Sequence, residues 1–445
     1  MDHLGDFHEF VAEQIKHLHV LTLCEAACGL EITVEDHRRG LTSQWQGRGR
    51  RSTSLEPELG SGCRARLRVR AWRMTPDLQM QDYFTDGEKR AFELGNRGPV
   101  RFVGDGALHP EIVEAYWNHG FYIFENVFDA EELADLESDL EAFRRRLPVH
   151  RGAAVDLDGN TAIGVGLDGP GVIWGKALSD PVGGTKAAHG RHPVKMHEPE
   201  VAVDAPSEVV FVVHGQLQFS DACLRAYGHP DLLAIAAALN GRDFTPFNEV
   251  LFLKDPGVGP SVAWHRDGVT HWDSPTWDQG THGFNFMGQI FGCTPANGVW
   301  VVPGTHKLRN VDIAGMVANA GSDRLPNAVP LVCAPGDVAI TNRQAVHGSF
   351  ANTSADPRVT VNMGFHRRAS VIGQMGSGIH GTVGVLDDAR IAERSRMIGW
   401  AIAARRDRYP DETPYDYEPL TGQAFCFDDQ ARDQLVGYNK LDLSI

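Results

Sequence analysis

Apolar positions change their period several times along the chain, and each change marks out a part. Phe7, Val11, Ile15, Leu18 and Leu21 recur every three or four residues, which predicts a short amphipathic helix ending near Gly29. Over residues 38–73 neither a helical nor a strand period survives. Order returns at Pro110, where residues 111–117 predict a helix stopped by Gly120, followed by the apolar strand Phe121–Phe124. Asp129 stands three residues before Glu132, the spacing of a capping box, and opens a helix through Leu133, Leu136, Leu140 and Phe143 that Pro148 closes. Residues 150–205 are rich in Gly, Pro and His and have no period; a loop that long is a functional lid or a disordered segment. Residues 221–239 read as one helix with Asn240-Gly241 as its stop, and residues 250–254 as a strand entering the turn Asp255-Pro256-Gly257.

From residue 260 to 370 the pattern is a series of short apolar runs (287–291, 298–302, 336–340 and 359–363) separated by Pro-Gly turns. Strands at that density predict an all-β sandwich or jelly roll, mainly β with flanking helices. A last helix runs from Leu386 through Ile391, Met397, Ile398, Ala401 and Ile402 and stops at Pro410, with Tyr415, Tyr417, Phe425 and Phe427 behind it. This extension, residues 371–445, reads as a cap packed on the core or a homodimer contact, with a substrate lid as the sharper alternative.

Composition adds limits. The chain has 445 residues, a formal net charge of -16 and a pI near 5.6, a balance that argues against a general nucleic-acid or anionic-membrane binder. There is no apolar run of membrane-spanning length and no signal-peptide pattern at Met1, and the seven scattered cysteines form no disulfide framework, so a reduced cytoplasmic protein is expected. Charge is distributed unevenly. Residues 38–73 hold ten arginines, no lysine and two acids, Glu56 and Glu58. Residues 1–73 are therefore read as a basic leader, disordered or lying upstream of a true start at Met74, with a nucleic-acid arm as the alternative.

Chemistry concentrates around Trp264-His265-Arg266-Asp267-Gly268. His265 and Asp267 are two apart, so an extended backbone presents both on one face. An imidazole beside a carboxylate is two-thirds of a 2-His-1-carboxylate metal site. The candidates for a third ligand are His271, His282, His306, His347 and His366; His347 is best placed, after an apolar strand and before Gly348-Ser349. Arg358, eleven residues on, begins another strand, and a buried guanidinium there could hold a carboxylate through paired charge-assisted bonds. Two stretches are decoys: Asp156-Leu157-Asp158-Gly159-Asn160 hints at a calcium loop but has no Gly at the sixth position and has Leu167 where the closing Glu belongs, and residues 171–176 lack the spacing of a phosphate loop.

Four motifs in order, Trp264-His265-Arg266-Asp267-Gly268, the run 297–307 (Asn-Gly-Val-Trp-Val-Val-Pro-Gly-Thr-His-Lys), Pro335-Gly336-Asp337-Val338 and His347-Gly348-Ser349 leading to Arg358, resemble the phytanoyl-CoA dioxygenase family over roughly residues 100–370. The resemblance implies a double-stranded β-helix (a jelly-roll, cupin-like core) and an Fe(II)- and 2-oxoglutarate-dependent oxygenase. It would use O2 on a small-molecule substrate, release succinate and CO2, and take ascorbate as reductant in vitro. It implies His265, Asp267 and His347 as the iron ligands and catalytic set, Arg358 and Ser349 as the holders of the distal carboxylate of 2-oxoglutarate, and Lys254 as a further pocket residue. The domain would span residues 74–370, with a helical run-up over about 100–245 and the metal-bearing β core over about 246–370. His306 is read as a turn or packing residue, and His271 and Trp272 as close enough to face substrate. The same residues could carry out desaturation or ring closure, and a non-catalytic jelly-roll binding protein is the alternative from another class. No cationic patch suited to the phosphates of a CoA thioester is evident in the domain.

Overall fold

The computed structural model describes residues 29–36, 41–48, 68–71, 78–104, 106–167, 171–376 and 383–445. The helix expected over residues 7–21 lies outside them. The chain divides into two units, Met1–Gln81 and Asp82–Ile445. In the first, strands Gly29–Asp36, Leu41–Arg48 and Arg68–Ala71 form an antiparallel sheet with Gly29–Asp36 in the middle. No strand was expected over residues 38–73, because arginines there break the alternation that marks one.

In the second unit eight core strands pair antiparallel into two sheets. They are labelled β1 (Thr245–Lys254), β2 (Val262–His265), β3 (Phe284–Gln289), β4 (Trp300–Val302), β5 (Val329–Pro330), β6 (Val338–Asn342), β7 (Val346–Ser349) and β8 (Arg358–His366). One sheet has the order β6-β3-β8-β1, the other β2-β7-β4-β5. Apart from β4 and β5, which pair with each other, consecutive strands alternate between the sheets, which is the winding of a double-stranded β-helix, or jelly roll. The larger sheet is extended at one edge by Phe121–Phe124 and Arg97–Gly98 and at the other by Val209–His214 and Gly171–Gly175. β8 is buried at all nine positions, with β3 on one side and β1 on the other, although its sequence alternates: Val359, Val361, Met363 and Phe365 are apolar, and Arg358, Thr360, Asn362 and His366 stand between them.

Helices cover the larger sheet. Pro110–His119 starts with proline at its first position and ends at Gly120, whose φ of 83° suits a residue without a side chain. Ala130–Arg145 carries the expected capping box: the Asp129 carboxylate accepts from the N–H groups of Glu131 and Glu132, and Glu132 returns to the Asp129 N–H. Residues 221–239 are not one helix. They are Asp221–Tyr227 and Pro230–Asn240, broken at Gly228-His229 because Pro230 lacks the N–H that a continuous helix needs and serves as the first residue of the second. The discarded calcium loop is a tight turn in which Asp156 Oδ1 accepts from the N–H groups of Asp158 and Asn160. Asp388–Arg408 packs its apolar stripe (Ile391, Met397, Ile398, Ala401) on Asp221–Tyr227 and β1. Among the described residues no helix is long and apolar enough to cross a membrane.

Candidate metal centre

The pairing of β2 with β7 sets His265 directly opposite His347. Gly348 permits the close approach, since a Cβ there would lie 3.0 Å from the Val262 carbonyl and 3.2 Å from the Trp264 ring. Asp267 follows the end of β2, where its N–H donates to the Arg343 carbonyl at 2.8 Å. Next, Gly268 turns with φ of 96°, and any side chain there would strike His282 at 2.3 Å. These constraints bring one ligand atom from each of His265, Asp267 and His347 within 4.8 Å of one another. His265 Nε2 lies 3.5 Å from Asp267 Oδ1, and His347 Nε2 lies 3.8 Å from Oδ2.

Both imidazoles are locked in one tautomer. His265 Nδ1 faces the Ala263 carbonyl at 2.8 Å and His347 Nδ1 the Ala345 carbonyl at 2.9 Å. A carbonyl can only accept, so Nδ1 carries the hydrogen on each ring and Nε2 is left as a lone-pair donor toward the carboxylate. Burial, with His265 beside it, pushes His347 down to about 4, so its ring is neutral at physiological pH. Burial works to raise the Asp267 carboxyl, but Arg191, His265 and Arg343 together hold it well below the usual carboxylate range. Asp267 is therefore an anion facing the Nε2 atoms of His265 and His347.

Four residues around the triad were not among the expected ones. Asn285 donates to Asp267 Oδ2 at 3.1 Å, and Arg343 places Nε 3.7 Å from the same oxygen while lying over the Phe247 ring. Arg191 places Nη2 3.3 Å from Asp267 Oδ1, and the His192 ring lies over that of His265 with centroids 4.1 Å apart. Arg191 and His192 come from the long Gly/Pro/His-rich segment, which is ordered by buried Asp180: its carboxylate accepts from the N–H groups of Gly183 and Met196. No periodic signal marks such a loop. Only its excess length hinted at a role.

The remaining expected residues gather beside the triad. β1 and β8 pair Lys254 with Arg358, and Lys254 Nζ donates to Ser349 Oγ at 3.0 Å and to the Phe350 carbonyl. Arg358 donates from Nε to Thr360 Oγ1 at 2.9 Å and lies over Phe252, with no carboxylate partner among the described residues. Burial, and Arg358 next to it, push Lys254 well below the ordinary lysine value; burial lowers Arg358 as well. The other histidines are structural. His306 Nε2 donates to the Trp117 carbonyl, His282 lies between the Thr270 carbonyl and Gln344, and His366 Nε2 accepts from Arg343. His271 hydrogen-bonds Thr270, whereas Trp272 does line the cleft next to the triad.

Residues 116–360 match the family described as phytanoyl-CoA dioxygenase (PhyH), which is more than half of the chain. The chain belongs to this family. This phytanoyl-CoA dioxygenase family protein is thus an oxidoreductase, with its candidate metal centre and all of its jelly roll but the end of β8 inside the matched span. Among solved structures it is similar to AviO1 from Streptomyces viridochromogenes Tue57, at 21% identity over 58% of this chain and 94% of that one, with a TM-score of 0.39. It is also similar to EctD from S. alaskensis, solved with 2-oxoglutarate and 5-hydroxyectoine, at 17% identity over 61% and 80%, TM-score 0.39. A third is SnoN, described as a non-haem alpha ketoglutarate dependent epimerase from nogalamycin biosynthesis, at 18% identity over 58% and 82%, TM-score 0.37. No match was found among curated proteins.

Proposed function

We propose that this family member is an Fe(II)- and 2-oxoglutarate-dependent oxygenase that hydroxylates a small organic molecule with release of succinate and CO2. The observation that supports it most is the pairing of two unlike features: a His-Asp-His donor set facing one point, and a buried guanidinium with no acid beside it. Two imidazoles and one carboxylate suit a divalent ion such as iron that keeps open positions. Arg358 and Lys254 suit an anion entering from that side, since two adjacent cations without a counter-charge are costly to bury. The residues present therefore fit both iron and a dicarboxylate.

On this reading His265, Asp267 and His347 hold the metal. The Ala263 and Ala345 carbonyls keep the Nε2 lone pairs aimed, and Asn285 and Arg191 each hold one Asp267 oxygen in place. Arg358 and Ser349 take the distal carboxylate of 2-oxoglutarate, and Lys254 positions Ser349 through its Nζ–Oγ bond. When bound, iron with 2-oxoglutarate and O2 supplies the oxidising power for a C–H bond. The carboxylate of Asp267 occupies the place that halogenating relatives leave for halide, which favours oxygen transfer.

The test is succinate release and 2-oxoglutarate consumption by the purified chain with Fe(II) and ascorbate, with and without a substrate panel. Asp267→Ala should abolish both and remove tight Fe(II) binding while leaving the circular-dichroism spectrum unchanged. Full turnover by that variant would remove Asp267 from the ligand set. Absence of Fe(II) binding by the wild-type chain would favour a non-catalytic binding protein.

A further inference from the structure

A cleft of about 620 Å³, within the range of small-molecule sites, opens beside the triad, and guanidinium groups line it. Arg191, Arg266 and Arg309 face the same space, joined by Trp272 and the first residues of helix Ile313–Ala320. Resting on the oxygenase reading above, we propose that its substrate carries an anionic group, a carboxylate or a phosphate, and that Arg309 anchors it.

The three arginines differ in how far they are already committed. Arg266 is fully engaged: Nε donates to the Gln344 carbonyl, Nη1 to Arg309 and Nη2 to Leu308, and the guanidinium lies 3.9 Å above the Trp272 ring. Its partners are all neutral, so its charge is fixed in place and uncancelled. Arg191 is partly engaged through Asp267. Arg309 has its backbone held by Arg266, while its half-buried guanidinium lies 5.2 Å from the Trp277 ring and pairs with no carboxylate among the described residues. The one acid lining the cleft, Asp312, is turned to the helix, where Oδ1 accepts from the Gly315 N–H at 2.8 Å.

Three further observations bear on the kind of ligand. Ile313 and Ala314, whose N–H groups have no partner within their helix, line the cleft and add positive character to its wall. Trp272 has Arg266 over its ring and His282 stacked on it at 4.2 Å, so it supports the wall and has little ring face left for a substrate. The protein as a whole is acidic, with a net charge of -16, so a cationic cleft in it is a local device for drawing an anion in against the general field. Arg266 and Arg309, two guanidinium groups with no carboxylate partner among the described residues, in a concave wall next to the candidate metal centre, supply what recognition of a carboxylate or phosphate needs.

The experiment uses the full chain loaded with Mn(II) and 2-oxoglutarate, which occupies the Arg358 side, and titrates three probes of one shape by calorimetry: benzoate, phenyl phosphate and benzamide. At least one of the two anions should bind about tenfold or more tighter than neutral benzamide, and the stronger of the two identifies the group. Arg309→Ala should erase that preference, and Arg309→Lys should keep part of it, with Mn(II) and 2-oxoglutarate affinities unchanged in both. Benzamide binding as tightly as the anions, no binding of either anion at millimolar concentration, or an undiminished preference in Arg309→Ala would each overturn the proposal. If 2-oxoglutarate itself fails to bind the Mn(II)-loaded wild-type chain, the oxygenase reading falls instead, and the anion comparison is then read with metal alone.

Discussion

Two arginines are buried against the same strand, β1, and they have opposite surroundings. Arg394 reaches it from helix Asp388–Arg408 with no exposure, and both oxygens of Glu249 meet its Nη2, at 2.7 and 2.6 Å. Arg358 pairs with Lys254 at the far end of the strand, 2% exposed, and meets a threonine hydroxyl, a phenyl ring and another cation. Burial works against the charge in both. Glu249 reverses the effect for Arg394, which is held above the ordinary arginine value, whereas Arg358 is left below it. Arg394 is thus neutralised within the fold and fastens a helix to the barrel. Arg358 is neutralised only when something else enters. A buried charge in a fold is either a fastening or a vacancy for a ligand, and its partner list distinguishes the two.

Removing the acid should break the comparison most visibly. Glu249→Ala leaves Arg394 charged, buried and alone, and should cost about 3–5 kcal/mol of stability, read as a lowered denaturant midpoint at unchanged slope. The double variant Glu249→Met with Arg394→Leu should recover most of that loss, because the penalty belongs to the stranded charge rather than to the missing bond. A single variant as stable as wild type would show that Arg394 has another counter-charge.

Arg358→Met is the opposite case. Nothing in the fold loses an acid partner, so stability should hold or rise, while the concentration of 2-oxoglutarate needed for half-maximal consumption should climb roughly 100-fold or more, the equivalent of two charge-assisted bonds. Fe(II) affinity should not follow. An equal loss of both would mean that Arg358 supports the metal centre rather than the co-substrate. Linkage gives a third reading at a slightly smaller size. With Mn(II) present, 2-oxoglutarate at one hundred times its dissociation constant should stabilise the wild type by about 2.7 kcal/mol and the Arg358→Met variant by far less, measured as a shift in melting temperature.

How much of this could be read from the sequence follows the same division. His265 and Asp267 were legible from their spacing of two, although the strand ends at His265 and Asp267 is brought in by the bend after it, and His347 was legible because it follows an apolar strand before Gly348-Ser349. The β core was legible from short apolar runs between Pro-Gly turns. Arg191 and His192 were not, because a loop shaped by the Asp180 carboxylate has no period to detect. Nor was the cationic cleft. Arg266 and Arg309 are 43 residues apart and meet through a side chain donating to a backbone carbonyl, a contact with no spacing rule. The break at Gly228-His229-Pro230 was in plain sight, but the apolar residues on either side of it were read as one helix.

The mildest test asks whether a neutral partner of Asp267 matters at all beside the charged ones. Asn285 donates one amide hydrogen to Oδ2 from β3, while Arg191 and Arg343 approach the same carboxylate with full charges at 3.3 and 3.7 Å. If charge alone fixes the ligand, Asn285→Ala should change nothing, since both guanidiniums remain. Direction argues otherwise. The Asn285 contact is the shortest of the three, and Arg343 Nε, at 3.7 Å, is beyond hydrogen-bond reach, so Asn285 is what sets the plane of the carboxylate at Oδ2. Partners that orient a ligand are typically worth about 10–100-fold in metal affinity. Asn285→Ala should therefore weaken Fe(II) binding by that factor, read by competition with a chelating dye, and leave both the denaturant midpoint and the 2-oxoglutarate requirement at saturating iron close to wild type. Unchanged iron affinity would assign the orientation of Asp267 to the arginines, making the anion of the metal centre a charge held by charges, as Glu249 and Arg394 hold each other.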